Sequence, residues 1–205
     1  MKDLKHSKTA RRQFIFHTIP ACGLTCLFGN KLFGLPPESD HQEQHMFDRE
    51  FPKKITYRKL IGSQNFQFIK LAKAVQDTFG KEETLELIKK MATDFNLERG
   101  RKQAEISPDQ SLNSYTRMFA NPKDWEGILR MEILEDSETA FEFKVSECIQ
   151  AVNYIDHEAA DIGYANVCWG DYAWAEGFNP KIELVRDKTL MQGHCCCNHR
   201  YIWTG

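Results

Sequence analysis

The hydrophobic period changes along the chain. Between 63 and 79, Phe66, Ile69, Ala72, Val75 and Phe79 recur at steps of three and four, and Gly80 follows. Between 82 and 99, Leu85, Ile88, Met91 and Phe95 repeat the spacing before Gly100. Each run predicts one face of an amphipathic helix followed by a glycine. Residues 101–122 carry Pro108 and Pro122 and read as loop with a short helix near 110–119. The period then drops to two. Leu129, Met131 and Ile133 alternate with Arg130 and Glu132; after a polar turn, Phe141, Phe143 and Val145 alternate with Glu142 and Lys144. That pattern predicts an antiparallel hairpin with one wet face. Helical spacing returns over 147–157 and 161–176, and Lys181–Arg186 and His199–Trp203 read as two further strands. The predicted class is α+β: N-terminal helices packed on an antiparallel sheet, with two further helices between the strand pairs.

Charge adds a boundary. The 205 residues hold 27 basic and 29 acidic side chains, a net of −2, which argues against a strongly basic nucleic-acid binder. Residues 1–35 carry Lys2, Lys5, Lys8, Arg11, Arg12 and Lys31 against Asp3 alone. Arg11-Arg12-Gln13-Phe14, followed by a moderately apolar stretch to Phe28, resembles a twin-arginine export signal. The expected layout is a signal segment over 1–34, a polar, proline-bearing linker over 35–54 and a hydrolase-like α+β domain over 55–205. The expected partner is the twin-arginine machinery, and the expected location is periplasmic or exported. Cys22 and Cys26 sit in imperfect lipoprotein cleavage sites, a secondary reading. No run of 18 apolar residues is present, so no stable membrane span is expected.

Five of the seven cysteines fall in the last 58 residues, beside His157, His194 and His199. Ser146 is placed to cap the helix after the second strand, which would put Cys148 in its first turn, where helix N–H groups favour a thiolate. The alternative is a small buried apolar residue. Tyr164, Cys168 and Asp171 share a helical face at four- and three-residue spacing, either a polar pocket or a buried structural network. In a strand, Cys197, His199 and Tyr201 point to one side and Cys196, Asn198 and Arg200 to the other. Cys197 and His199 offer two ligands to zinc, but no C-x-x-C pair accompanies them. A metal site would draw on His157 or Asp171, and the expectation is no cofactor. Glycine-rich phosphate loops, G-x-S-x-G and H-E-x-x-H are all absent.

Several stretches together resemble the L-2-amino-thiazoline-4-carboxylic acid hydrolase family. They are Glu147-Cys148-Ile149-Gln150-Ala151, the run Asp161-Ile162-Gly163-Tyr164-Ala165-Asn166-Val167-Cys168-Trp169-Gly170-Asp171, Gly177-Phe178-Asn179-Pro180, Thr189-Leu190-Met191-Gln192-Gly193 and Cys197-Asn198-His199-Arg200-Tyr201. The resemblance implies hydrolytic opening of a cyclic isothiourea to N-carbamoyl-L-cysteine. It makes Cys148, Cys168 and Cys197 candidate nucleophiles and Asp171 and His199 acid–base groups; Cys148 is favoured among the three because a helix start lowers thiol pKa and a strand does not. Tyr164 and either Arg186 or Arg200 would bind substrate, an arginine holding its carboxylate by a two-point contact. The three cysteines are expected to converge. A non-enzymatic domain that binds a small molecule or metal through the same Cys/His pocket is the competing reading.

Overall fold

The computed structural model describes residues 54–205. The expected signal segment, and the linker up to its last residue, lie outside the described residues. Among the described residues no helix is long and apolar enough to cross a membrane. The helices are α1 (Tyr57–Phe79), α2 (Lys81–Ile106), α3 (Leu112–Thr116), α4 (Ile149–Asp156), α5 (Ala160–Gly163) and α6 (Gly170–Phe178). The strands are β1 (Leu129–Asp136), β2 (Ala140–Cys148), β3 (Ile182–Val185) and β4 (Cys197–Trp203). They form one antiparallel sheet in the order β1-β2-β4-β3. The α+β class expected from the alternating periods is the one observed.

Thr56 caps α1 by accepting from the Lys59 N–H. The buried residues of α1 are Ile69 and Ala72, while Phe66 and Phe79, expected on the inner face, are exposed. In α2 the inner face is Thr84, Ile88, Ala92 and Gly100, and Met91 and Phe95 point outward. Small residues line this face because α2 and α6 approach backbone to backbone. A Cβ on Gly100 would stand 2.4 Å from the Trp174 carbonyl oxygen, and one on Gly177 would stand 2.3 Å from that of Leu97. Gly100 is therefore a contact point inside a continuous helix, and the expected end at 99 moves to Ile106.

The sheet is one-sided. Phe141, Phe143 and Val145 of β2 lie opposite Tyr201, His199 and Cys197 of β4, and all six are buried. Glu142 and Arg200 pair on the other face. Beneath the sheet, one core gathers Leu112, Tyr115, Phe119, Trp174 and Phe178 around Phe141, Phe143 and Tyr201. A second core holds Ile69, Ala72, Ile88, Tyr154, Ile162 and Met191 between the helices. Cys148 and Leu190 pack against both. The predicted thiol site lies on the seam between them.

Candidate active site

Three separate elements bring the cysteines to this seam. Cys148 ends β2 and is the N-cap of α4, one residue earlier than the first-turn position expected. Ser146 does not cap α4; its Oγ donates to the Arg130 carbonyl across the β1–β2 pair. Cys168 ends a π turn, Tyr164–Cys168, in which the Trp169 N–H donates to the Tyr164 carbonyl at 2.9 Å. Such turns often mark functional positions. The expected unbroken helix over 161–176 is thus α5, this wider turn and α6. Cys197 opens β4, and its sulfur accepts from the Leu190 N–H at 3.2 Å. Cys168 lies within electrostatic reach of both Cys148 and Cys197.

Beside them stands an ion-pair network. Arg186, just past β3, has a side chain only 1% exposed and donates from Nη1 to Asp171 Oδ2 at 2.6 Å. Its Nη2 donates to the Cys168 carbonyl at 2.6 Å, and Nη1 also lies 2.9 Å from His199 Nε2. Arginine only donates, so His199 Nε2 accepts and the ring proton sits on Nδ1. Nδ1 is buried and has no partner, and neither has Arg186 Nε. Unpartnered buried polar atoms are costly, and these two adjoin the ion pair. Phe143 stacks on the His199 ring, 4.7 Å between centroids and 8° from parallel. Tyr172 holds Arg186 from both sides: its ring centroid is 5.0 Å from the guanidinium carbon and its hydroxyl donates to the Arg186 carbonyl at 3.2 Å. At Tyr164 burial raises the hydroxyl pKa, and the Arg186 charge works against that rise.

These contacts set the charge states. Burial pushes the Asp171 carboxyl up, but the Arg186 guanidinium outweighs it and holds the group below the usual carboxylate value; His199 Nε2 lies 3.6 Å from the same carboxylate oxygen. Burial works against charge on Arg186, yet Asp171 keeps it firmly protonated. All three thiols are raised by burial: Cys168 most, with Asp171 adding to the effect, and Cys148 and Cys197 less. At Cys148 the amides of Gln150 and Ala151 pull the other way without winning. The lowered thiol value expected at this helix start is therefore corrected: the N–H groups act, but desolvation exceeds them.

A groove of about 1130 Å³ runs past Cys148 along residues 126–131, 146–149, 151–152 and Leu190. Cys148 is the thiol of the three that lines it. Lys123 lines it too, and makes no ion pair among the described residues, whereas Arg58 and Arg130 are tied to Asp156 and Glu147. The other expected arginine, Arg200, sits on the far face of the sheet, bound by Glu135 and Glu142. Arg186 is nearer but is held at both terminal nitrogens. His157 sits tilted against the Phe66 ring instead of joining Cys197 and His199, and among the described residues no group of three His, Cys, Asp or Glu side chains is placed to hold a metal. Tyr172, Lys123 and the Leu190 amide were not singled out from the sequence. Tyr172 adjoins Asp171, but nothing in the local spacing marks Lys123 as a groove residue.

A one-sided α+β fold with buried thiols against an Asp–Arg–His cluster is an enzyme-like arrangement. The profile of the family described as L-2-amino-thiazoline-4-carboxylic acid hydrolase matches residues 59–201, and the chain belongs to that family. No curated protein matches it. Among solved structures, the chain is similar to the phenol-responsive sensory domain of the transcription activator PoxR with phenol, at 14% identity and a TM-score of 0.43, covering 74% of this chain and 76% of that one.

Proposed function

We propose that the protein hydrolyses a small cyclic isothiourea, with L-2-amino-thiazoline-4-carboxylate as the leading candidate and N-carbamoyl-L-cysteine as product. The observation that carries this reading is the meeting of Cys148, Cys168 and Cys197 with the Asp171–Arg186–His199 cluster beside a groove. Cys148 is the nucleophile, because it alone of the three lines the groove. Its raised proton affinity keeps it a thiol until the basic ring nitrogen of the substrate takes the proton. The sulfur then bonds to the carbon between ring nitrogen and sulfur. The ring carbon–sulfur bond breaks, and the Nδ1–H of His199 is available to steady the departing thiolate, which recovers a proton from the new amidinium. Water attacks the same carbon, Cys148 leaves, and the urea oxygen of the product comes from that water. Asp171, held as a carboxylate, favours the cationic amidinium. Lys123 is placed to meet the substrate carboxylate.

The test is mass balance. Purified full-length protein given L-2-amino-thiazoline-4-carboxylate should produce N-carbamoyl-L-cysteine, with one new thiol per ring opened. Substrate recovered unchanged would overturn the proposal.

A further inference from the structure

Cys195 and Cys196 take no part in the site above. Cys195 is exposed and Cys196 buried, yet their sulfurs stand 3.8 Å apart. In a regular strand, neighbouring side chains point to opposite faces. These two share a side because they sit in the bend that leads into β4. Gly193 starts the bend with a left-handed φ of 85°, a conformation that favours glycine. His194 fixes it: its N–H donates to the Thr189 carbonyl at 3.1 Å, and its ring Nδ1 lies 3.1 Å from the Thr189 amide nitrogen. Asn198 then ties the strand start to the Lys188 N–H and to Asp187. The thiols are thus placed together by the loop backbone. Burial and the neighbouring Cys195 raise the Cys196 thiol above its ordinary value, and Lys144 and Lys188 work against that rise.

We propose that Cys195 and Cys196 form a surface dithiol that undergoes exchange with low-molecular-weight disulfides and closes reversibly into a bond between the two neighbours. The Cys195 thiolate attacks one sulfur of the small disulfide, forms a mixed disulfide and releases one small thiolate, which takes up the proton Cys195 gave. The Cys196 sulfur, already in contact, attacks the Cys195 sulfur and releases the second small thiol. The pair is oxidised by two electrons, and the small disulfide is reduced to two thiols. Consecutive Cα atoms are about 3.8 Å apart, below the roughly 4.4–6.8 Å usual for a bridged pair. The ring is therefore strained and readily reopened by a thiol. Cys148, Cys168 and Cys197 do not enter the exchange, so the proposal stands apart from the hydrolase reading.

The experiment treats the full-length protein with excess oxidised glutathione, quenches with acid and maps peptides by mass. The expected result is a peptide bearing both Cys195 and Cys196 that is lighter by two hydrogens and carries no glutathione, with full reversal by dithiothreitol. In Cys196→Ser, a glutathione adduct should persist on Cys195. A stable adduct on Cys195 in the unaltered protein, a bridge from either residue to another cysteine, or two unreacted thiols would each overturn the proposal.

Discussion

At Cys148 two opposing effects meet in one side chain. The start of α4 directs the Gln150 and Ala151 amides at the sulfur, and burial at the seam works against the charge they would favour. A group whose proton affinity is raised is neutral at low pH and becomes a thiolate only as pH climbs past the ordinary thiol value. Alkylation of Cys148 by iodoacetamide, followed by peptide mapping, should therefore be slow near neutrality and still rising above about pH 8.5, the reference thiol value. A rate that levels off below that value would mean the helix start outweighs burial. Lys123 makes a separate claim at the same scale. Replacing it with Ala should raise KM by about tenfold and leave kcat nearly unchanged, the mark of lost ground-state binding. An unaltered KM would place the substrate carboxylate elsewhere.

Among the elements, the Asp171–Arg186 pair links α6 to the end of β3. Asp171→Asn would strand a guanidinium whose side chain is 1% exposed, and breaking a buried pair in this way costs about 3–5 kcal/mol. Denaturant unfolding at neutral pH should show a loss of that order. The advantage of the unaltered protein is present in full above the ordinary carboxylate value near ~3.9 and fades as pH falls through the lower folded value of Asp171. A gap that stays constant into acid would show that the pair is not its source. The strands were readable from alternation alone, since Phe141, Phe143 and Val145 have to face one way. The helix faces were not. In α2 the largest apolar residues point outward because Gly100 meets the backbone of α6, and a partner's backbone leaves no period of its own. The π turn at Tyr164–Cys168 was not read either, since the residues around it carry small and polar side chains that mark no clear apolar face. The opposite faces of His199 and Arg200 followed directly from strand geometry, and Arg200 is duly found with Glu135 and Glu142.

Across the whole molecule, the site sits where two cores meet. One core is built on the sheet and the other between the helices, and Cys148 touches both. That position explains why the cysteines cluster late in the chain yet come from a strand end, a turn and a strand start. It also accounts for the roles of Arg186 and Tyr172, which hold α6, β3 and the π turn around Asp171. The covalent proposal depends on Cys148 more than on any other residue. Replacing it with Ser keeps the shape of the seam and removes the thiol. The direct measurement is the rate of thiol release from L-2-amino-thiazoline-4-carboxylate by the unaltered protein and by folded Cys148→Ser, side by side. The account predicts ring opening by the first and a fall of roughly a thousandfold or more in the second. Equal rates from the two proteins would contradict it.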